Sequence, residues 1–280
     1  MSESVGAPDG LLALLSVEPQ PDGTYLGGVV AGSQLTRLFG GLVLAQALAA
    51  AGASVKAGRA PHSLHAYFLR PGHTEEPVRY RVESLRDGRA FTTHRVTAEQ
   101  AGRPILTMIA SFHVPESGLA HQITAPDAPD PHTLRSVHDC SDTEPVIYRE
   151  WPWIDLRRVP RTDGSEPTRA RVWCRVLESL PDDPLVRACA LAAIADLSFL
   201  SVVLWTHGLG MEHDGYILAS LDHAMWFHRP VPDQDWLLYD QQSPSSADGR
   251  GMATGNIYSS DGALLATVAQ EGLLRPLSTE

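Results

Sequence analysis

The sequence predicts an α+β protein in which one plan, a long apolar helix set against an antiparallel sheet, is used twice in one chain. Three observations carry this: an ordered set of words recurs at nearly one spacing, each half holds one alanine-rich helix candidate, and the other segments read as short strands between turn signals.

The repeat reports architecture without any second protein. Phe68-Leu69-Arg70-Pro71 returns as Phe227-His228-Arg229-Pro230, 159 residues on. Asp-Gly-Arg at 87–89 returns at 248–250, a spacing of 161. A closing apolar strand at 104–111 is matched by 263–270, again 159 apart. Three landmarks in one order are not a chance match.

The helix candidates are 41–51 in the first half and about 184 to 203 in the second. The second carries a start signal, because Asp183 can accept from free backbone N–H groups and Pro184 suits the first helical position. Strand candidates are 24–30, 65–69, 80–84, 91–99 and 105–112, then 169–177, 216–227, 236–242, 251–258 and 264–272. Arg86-Asp87-Gly88 and Ser260-Asp261-Gly262 are hairpin-compatible turns. Residues 115–149 are rich in Pro, Asp, His and Ser, so we read a module at 10–114, a linker at 115–149 and a second module at 150–276.

A net charge of −11 argues against general affinity for nucleic acid or an anionic membrane, so any phosphate must be gripped by a local cluster. Cys140, Cys174 and Cys189 are odd in number and lack CxxC spacing, which points to free thiols rather than disulfides or zinc. Met1 to Asp9 is acidic and small, no run of about 18 apolar residues is visible, and the terminus Leu277-Ser278-Thr279-Glu280 lacks a Ser-Lys-Leu address. A cytoplasmic protein is expected. Neither a Gly-x-Ser-x-Gly elbow nor a phosphate-cradling glycine loop occurs.

Certain strings are more specific. They are Phe39-Gly40-Gly41, His62 to Gly72 (HSLHAYFLRPG), Leu85 to Phe91 (LRDGRAF), Ala110-Ser111-Phe112, Asp222 to Pro230 (DHAMWFHRP) and Gln270-Glu271-Gly272. With these the chain resembles the type II (TesB-like) acyl-CoA thioesterases, double-hotdog hydrolases, over about residues 25 to 275 outside the linker. The resemblance implies hydrolysis of fatty acyl-CoA, without a cofactor, by a water held among an aspartate, a hydroxyl and a glutamine. Carried over singly, these fall on Asp196, Ser220 and Gln270; better-known bacterial members have threonine at the hydroxyl position, and serine lacks the methyl that fixes its rotamer. It also implies a homodimer or higher oligomer.

The residues speak for themselves in part. Leu185, Cys189, Ala192, Asp196, Phe199 and Val203 share one helical stripe, so Asp196 faces the apolar side, away from Arg187. A carboxylate there needs donors or a functional reason, the bland reading being a loop cap where the helix ends early. Gln270 shares a strand face with Leu264, Ala266 and Val268, and is either a satisfied core glutamine or an amide that serves a water. Ser220 shares its face with Tyr216, Leu218 and Asp222 and signals least.

At the spacing of 159, Gln270 answers to Ser111 and Ser220 to Pro61, which cannot do the same work, so one active site per chain is expected. Backbone N–H groups near Gly40 and Gly41 are candidates to polarise the thioester oxygen. Arg86, Arg89, Arg95 and Arg250 are candidates for the CoA phosphates, the bland reading being solvated turn arginines. His65, His223 and His228 sit in aromatic strands, where a structural histidine is the commoner finding. Two rival readings stay open: a double-hotdog hydratase or dehydratase using Asp222 and His223, whose Asp-x-Asn-Pro-type word is missing, and a non-catalytic acyl-CoA-binding protein.

Overall fold

The structure is a computed structural model that describes residues 10–140, 144–161, 166–210 and 215–277. The terminal segments read above, Met1 to Asp9 and Ser278 to Glu280, lie outside the described residues. The first half holds α1 (Leu11–Leu15), β1 (Val17–Pro19), β2 (Tyr25–Gly27), α2 (Gly40–Ala53), β3 (Ala60–Phe68), β4 (Val78–Asp87), β5 (Phe91–Gln100) and β6 (Arg103–His113). Two 3-10 turns and α3 (Val146–Glu150) follow, then β7 (Ile154–Arg158), β8 (Arg169–Val176), α4 (Pro184–Leu197) and α5 (Ser201–Thr206). The chain closes with β9 (Tyr216–Ser220), β10 (Asp222–Phe227), β11 (Leu237–Ala247), β12 (Arg250–Ser259) and β13 (Leu264–Pro276).

All strands join one antiparallel sheet in the order β1-β2-β4-β5-β6-β3-β10-β13-β12-β11-β8-β7, with β9 added beside β13. The halves meet at β3 and β10, where Ala224 lies opposite His65. α2 and α4 pack against each other on the inner side. They run antiparallel: Gly40 meets Asp196 and Gly52 meets Leu185. Asp183 accepts from the Leu185 N–H at 2.8 Å, as the start signal predicts.

The repeat is real, but its register differs from the word spacing. His65 lies opposite Ile109 and Ala224 opposite Ala269; 224 − 65 is 159, whereas 269 − 109 is 160. The closing strands are therefore one residue further apart than their words, and the counterpart of Gln270 is Ala110 rather than Ser111. The two Asp-Gly-Arg words are not equivalent either. Asp248 and Gly249 form a two-residue turn at φ 51° and 70°, with Ala247 opposite Arg250. In the first half Gly88 and Phe91 occupy the corresponding closing pair, so the first word begins two residues early.

The single strand expected at 216–227 is two. A bulge at Leu221 interrupts it: Ser220 lies opposite Gly272, while Ala224 lies opposite Ala269. Leu221 N–H donates to the Glu271 carbonyl, and the Glu271 N–H donates to Asp222 Oδ1 at 2.8 Å, so the bulge leaves neither group unpaired. An equivalent irregularity falls between Pro61 and Ser63.

One buried polar group passed unnoticed in the apolar reading of 41–51. Gln46, on α2, donates to the Leu14 carbonyl at 2.7 Å and the Gly28 carbonyl at 2.9 Å, and its Oε1 accepts from Tyr80 Oη–H at 2.7 Å. This fully satisfied node ties α1, α2 and β4 together. Tyr80→Phe is expected to cost about 1–3 kcal/mol by stranding a buried acceptor, read as a lower denaturant midpoint with unchanged slope.

Pro184–Thr206, though interrupted by Arg187 and Asp196, is long and apolar enough to cross a membrane by length and composition, yet 83% of its most apolar window is buried inside the fold. It is a core segment. Cys174 and Cys189 are buried free thiols, and loss of hydration pushes the Cys174 thiol up to about 12 and that of Cys189 higher still.

Candidate active site

Asp196 sits at the last turn of α4, and the helix ends one residue later instead of continuing to 203. The backbone leaves helical angles at Ser198, and Ser201 N–H bonds Ser198 O, a tight turn that starts α5. β11 braces this end. Tyr239 Oη–H donates to the Ala195 carbonyl at 3.3 Å and Gln241 Nε2 to Ser198 Oγ at 2.8 Å. The helix thus ends early, but Asp196 does not cap a loop. Its side chain, 9% exposed, turns onto the sheet.

There Gln270 Nε2 donates to Asp196 Oδ1 at 2.8 Å, Ser220 Oγ–H donates to the same oxygen at 3.2 Å, and Gln270 Nε2 lies 2.7 Å from Ser220 Oγ. The structure therefore brings Asp196, Ser220 and Gln270 together from three separate elements. Ser220 arrives through the bulge. Strict alternation would give it the face of Asp222, but its partner Gly272 shares the inner face with Gln270.

The second oxygen of Asp196 faces α2. A Cβ built at Gly40 would meet Asp196 Oδ2 at 2.9 Å and the Phe68 ring at 3.1 Å. Gly40 thus borders the site at the start of a 14-residue helix whose first N–H groups lack a side-chain cap. Gly41 is used differently, for close approach: its Cβ would strike the Phe39 ring and the Ala193 carbonyl oxygen of α4.

His223 is the residue that sequence reasoning set aside. It is fully buried, its Nδ1 lies 2.9 Å from Gln270 Oε1, and its Nε2 has no partner among the described residues. Burial lowers its pKa, against the opposing pull of Asp196, Gln270 and Asp222. The signal was available: alternation puts His223 with Met225 on the inner face, where an imidazole needs a partner. His65, against Trp226, and His228, bonded to Thr267 Oγ1, sit outside this network. Asp222 and His223 are strand neighbours on opposite faces, since Asp222 pairs with outward-facing Tyr67, so they do not form an acid–base couple.

The arginines separate. Arg86 and Arg89 lie at the β4–β5 turn, beside the start of β3, whereas Asp222 and Phe68 lie at the other end of that strand. At about 3.3 Å per residue the nine residues of β3 hold those ends well apart. Arg95 is on the outer face, ion-paired with Glu83. Arg250 is at the site's end of the sheet, opposite Leu273 and 3.1 Å from Glu271.

Among the described residues, the first copy of the plan has no such constellation. Gly52 stands in α2 where Asp196 stands in α4, twelve residues after each helix start, while Pro61 and Ala110 answer to Ser220 and Gln270.

A fused pair of helix-on-sheet modules, with a carboxylate, a hydroxyl and an amide brought together in one of them, is a double-hotdog protein with one candidate active site. Comparison with known proteins agrees. Residues 148–273 match the family model for acyl-CoA thioesterase and residues 30–113 that for its N-terminal domain. Acyl-CoA thioesterase 2 of Haemophilus influenzae is 38% identical over 251 residues, 85% of this chain and 88% of that one. Human acyl-coenzyme A thioesterase 8 is 34% identical, over 85% and 81% of the two chains. The crystal structure of the acyl-CoA thioesterase II TesB2 of Mycobacterium marinum superposes with a TM-score of 0.82 at 40% identity, covering 95% of this chain and 98% of that one. A hot dog fold protein from Alicyclobacillus acidocaldarius, 21% identical with a TM-score of 0.79, supports the fold alone. The chain belongs to the acyl-CoA thioesterase family.

Proposed function

We propose that the chain hydrolyses fatty acyl-CoA to a free acid and coenzyme A, with a water held and activated by Asp196, Ser220 and Gln270. The observation that carries this reading is the division of labour on one buried carboxylate: Oδ1 is held by two donors, and Oδ2 faces Gly40 at the start of α2. A water on Oδ2 gives its proton to the carboxylate as its oxygen bonds to the thioester carbonyl carbon. The carbonyl electron pair moves onto oxygen, where N–H groups at Gly40 and Gly41 stabilise it. Return of that pair breaks the C–S bond, and the sulfur leaves with the proton held by Asp196. One such site per chain fits Gly52, Pro61 and Ala110 in the other half. Of the four candidate arginines we assign the CoA phosphate to Arg250, because it alone of the four stands at that end of the sheet.

We also read the outward face around Tyr67, Ile109 and Trp226, all exposed beside the β3–β10 junction, as the contact of a homodimer or larger oligomer. Light scattering on Tyr67→Glu/Trp226→Glu is expected to give the single chain.

The test is release of free thiol from saturated acyl-CoA by wild type, Asp196→Asn and Asp222→Asn. Loss in the Asp196 variant alone supports the reading, because Asp222 serves the Glu271 N–H at the bulge. Hydrolysis surviving in Asp196→Asn removes the proposed base; binding without turnover by wild type, or water addition to 2-enoyl-CoA, replaces the function.

A further inference from the structure

We infer that His223 is a positioning residue, whose Nδ1–H holds Gln270 so that the nitrogen end of its amide faces Asp196 and Ser220. The inference rests on the reading in which those three side chains hold the water.

The hydrogen bonds leave one consistent arrangement. A primary amide nitrogen carries two N–H groups. Gln270 Nε2 spends one on Asp196 Oδ1 at 2.8 Å and the other on Ser220 Oγ at 2.7 Å, which leaves the Ser220 hydrogen for Asp196 Oδ1 at 3.2 Å. Turning the amide over would set Gln270 Oε1 against the carboxylate oxygen, two acceptors in a buried place. The oxygen end must therefore be held on the far side by a donor. The group there is His223 Nδ1, at 2.9 Å.

That contact fixes the imidazole as well. Nδ1 must carry the hydrogen, and in the neutral ring Nε2 is then a bare acceptor. Nε2 is buried without a partner among the described residues, and the Phe199 ring stands 6.3 Å from the imidazole. Burial favours the neutral ring, in keeping with this tautomer. The chain of dependence runs from a carboxylate, which needs the amide nitrogen, to an amide oxygen, which needs an N–H, to one tautomer of His223. With Nδ1 committed to Gln270, His223 acts through the amide.

The experiment is a double-mutant cycle in thioester hydrolysis, with kcat and KM measured separately and unfolding temperature recorded for each variant. His223→Leu removes the donor and is expected to lower kcat by about 10- to 100-fold, the cost of a loosened catalytic group, with KM little changed. His223→Asn supplies an amide N–H near the place of Nδ1 but no basic nitrogen, and is expected to recover most of that loss. His223→Leu combined with Gln270→Ala is expected to be no slower than Gln270→Ala alone. A folded His223→Asn as slow as His223→Leu would show that the imidazole itself acts and overturn the inference. So would a combined variant slowed by the product of the single effects. Where His223→Leu fails to fold, the Asn variant alone and combined with Gln270→Ala decides. An active wild type unaffected by Gln270→Ala would instead remove the underlying water-holding reading, a result distinct from either failure of His223.

Discussion

Asp196→Asn is expected to slow thioester hydrolysis by about 100- to 10,000-fold, the span of a removed general base. The substitution changes no volume. An amide oxygen can still accept from Gln270 Nε2 and Ser220 Oγ–H in the place of Oδ1, so the three-element node stays closed. What is lost is the group facing Gly40: an amide nitrogen there donates and cannot take the water's proton. Because the carboxylate is buried without an ion-pair partner among the described residues, neutralising it is not expected to lower the unfolding temperature. Thiol release with a chromogenic disulfide, beside a thermal melt, checks both halves. Activity within tenfold of wild type in a folded variant would show that the water is activated elsewhere.

Gly41→Ala is expected to cost stability through a single methyl group. Two effects oppose one another. Alanine is the better helix former by about 1 kcal/mol at an interior position. Against this, its Cβ would lie 2.8 Å from the Ala193 carbonyl oxygen and 2.6 Å from the Phe39 ring. The ring is itself braced by Trp151, with centroids 4.9 Å apart, and the carbonyl belongs to the backbone of α4. Neither yields without moving α2 from α4, so overpacking of about 1–3 kcal/mol is expected to outweigh propensity. The unfolding temperature should fall by a few degrees. The same displacement shifts Gly40 from Asp196, so kcat should drop with it. A raised unfolding temperature would mean that the helices part freely and that propensity decides.

Part of the site was legible because polar residues in apolar patterns are rare and therefore informative. Asp196 stood out on a buried helical stripe and Gln270 on an inner strand face, each by period alone. The helix start at Asp183 and Pro184 was likewise local chemistry and was found where expected. Ser220 was not readable in this way, since its face depends on an extra residue at Leu221, and a bulge is a property of two strands whose cost is met by Asp222 and the Glu271 N–H. Gln46 was hidden in an alanine-rich run because its partners, Leu14, Gly28 and Tyr80, are distant in sequence.

The α+β class, the doubled plan, the apolar helices and two of the three polar groups follow from the sequence by itself, because periodicity and capping act over a few residues. The tertiary structure decided which face Ser220 takes, that the closing strands are offset by 160, and that Gly40 and Gly41 are glycines for the sake of α4. It also decided which arginine stands at the site's end of the sheet and that His223 reaches Gln270. These depend on register and on the approach of two antiparallel helices, and register is set by contacts between residues far apart in the chain.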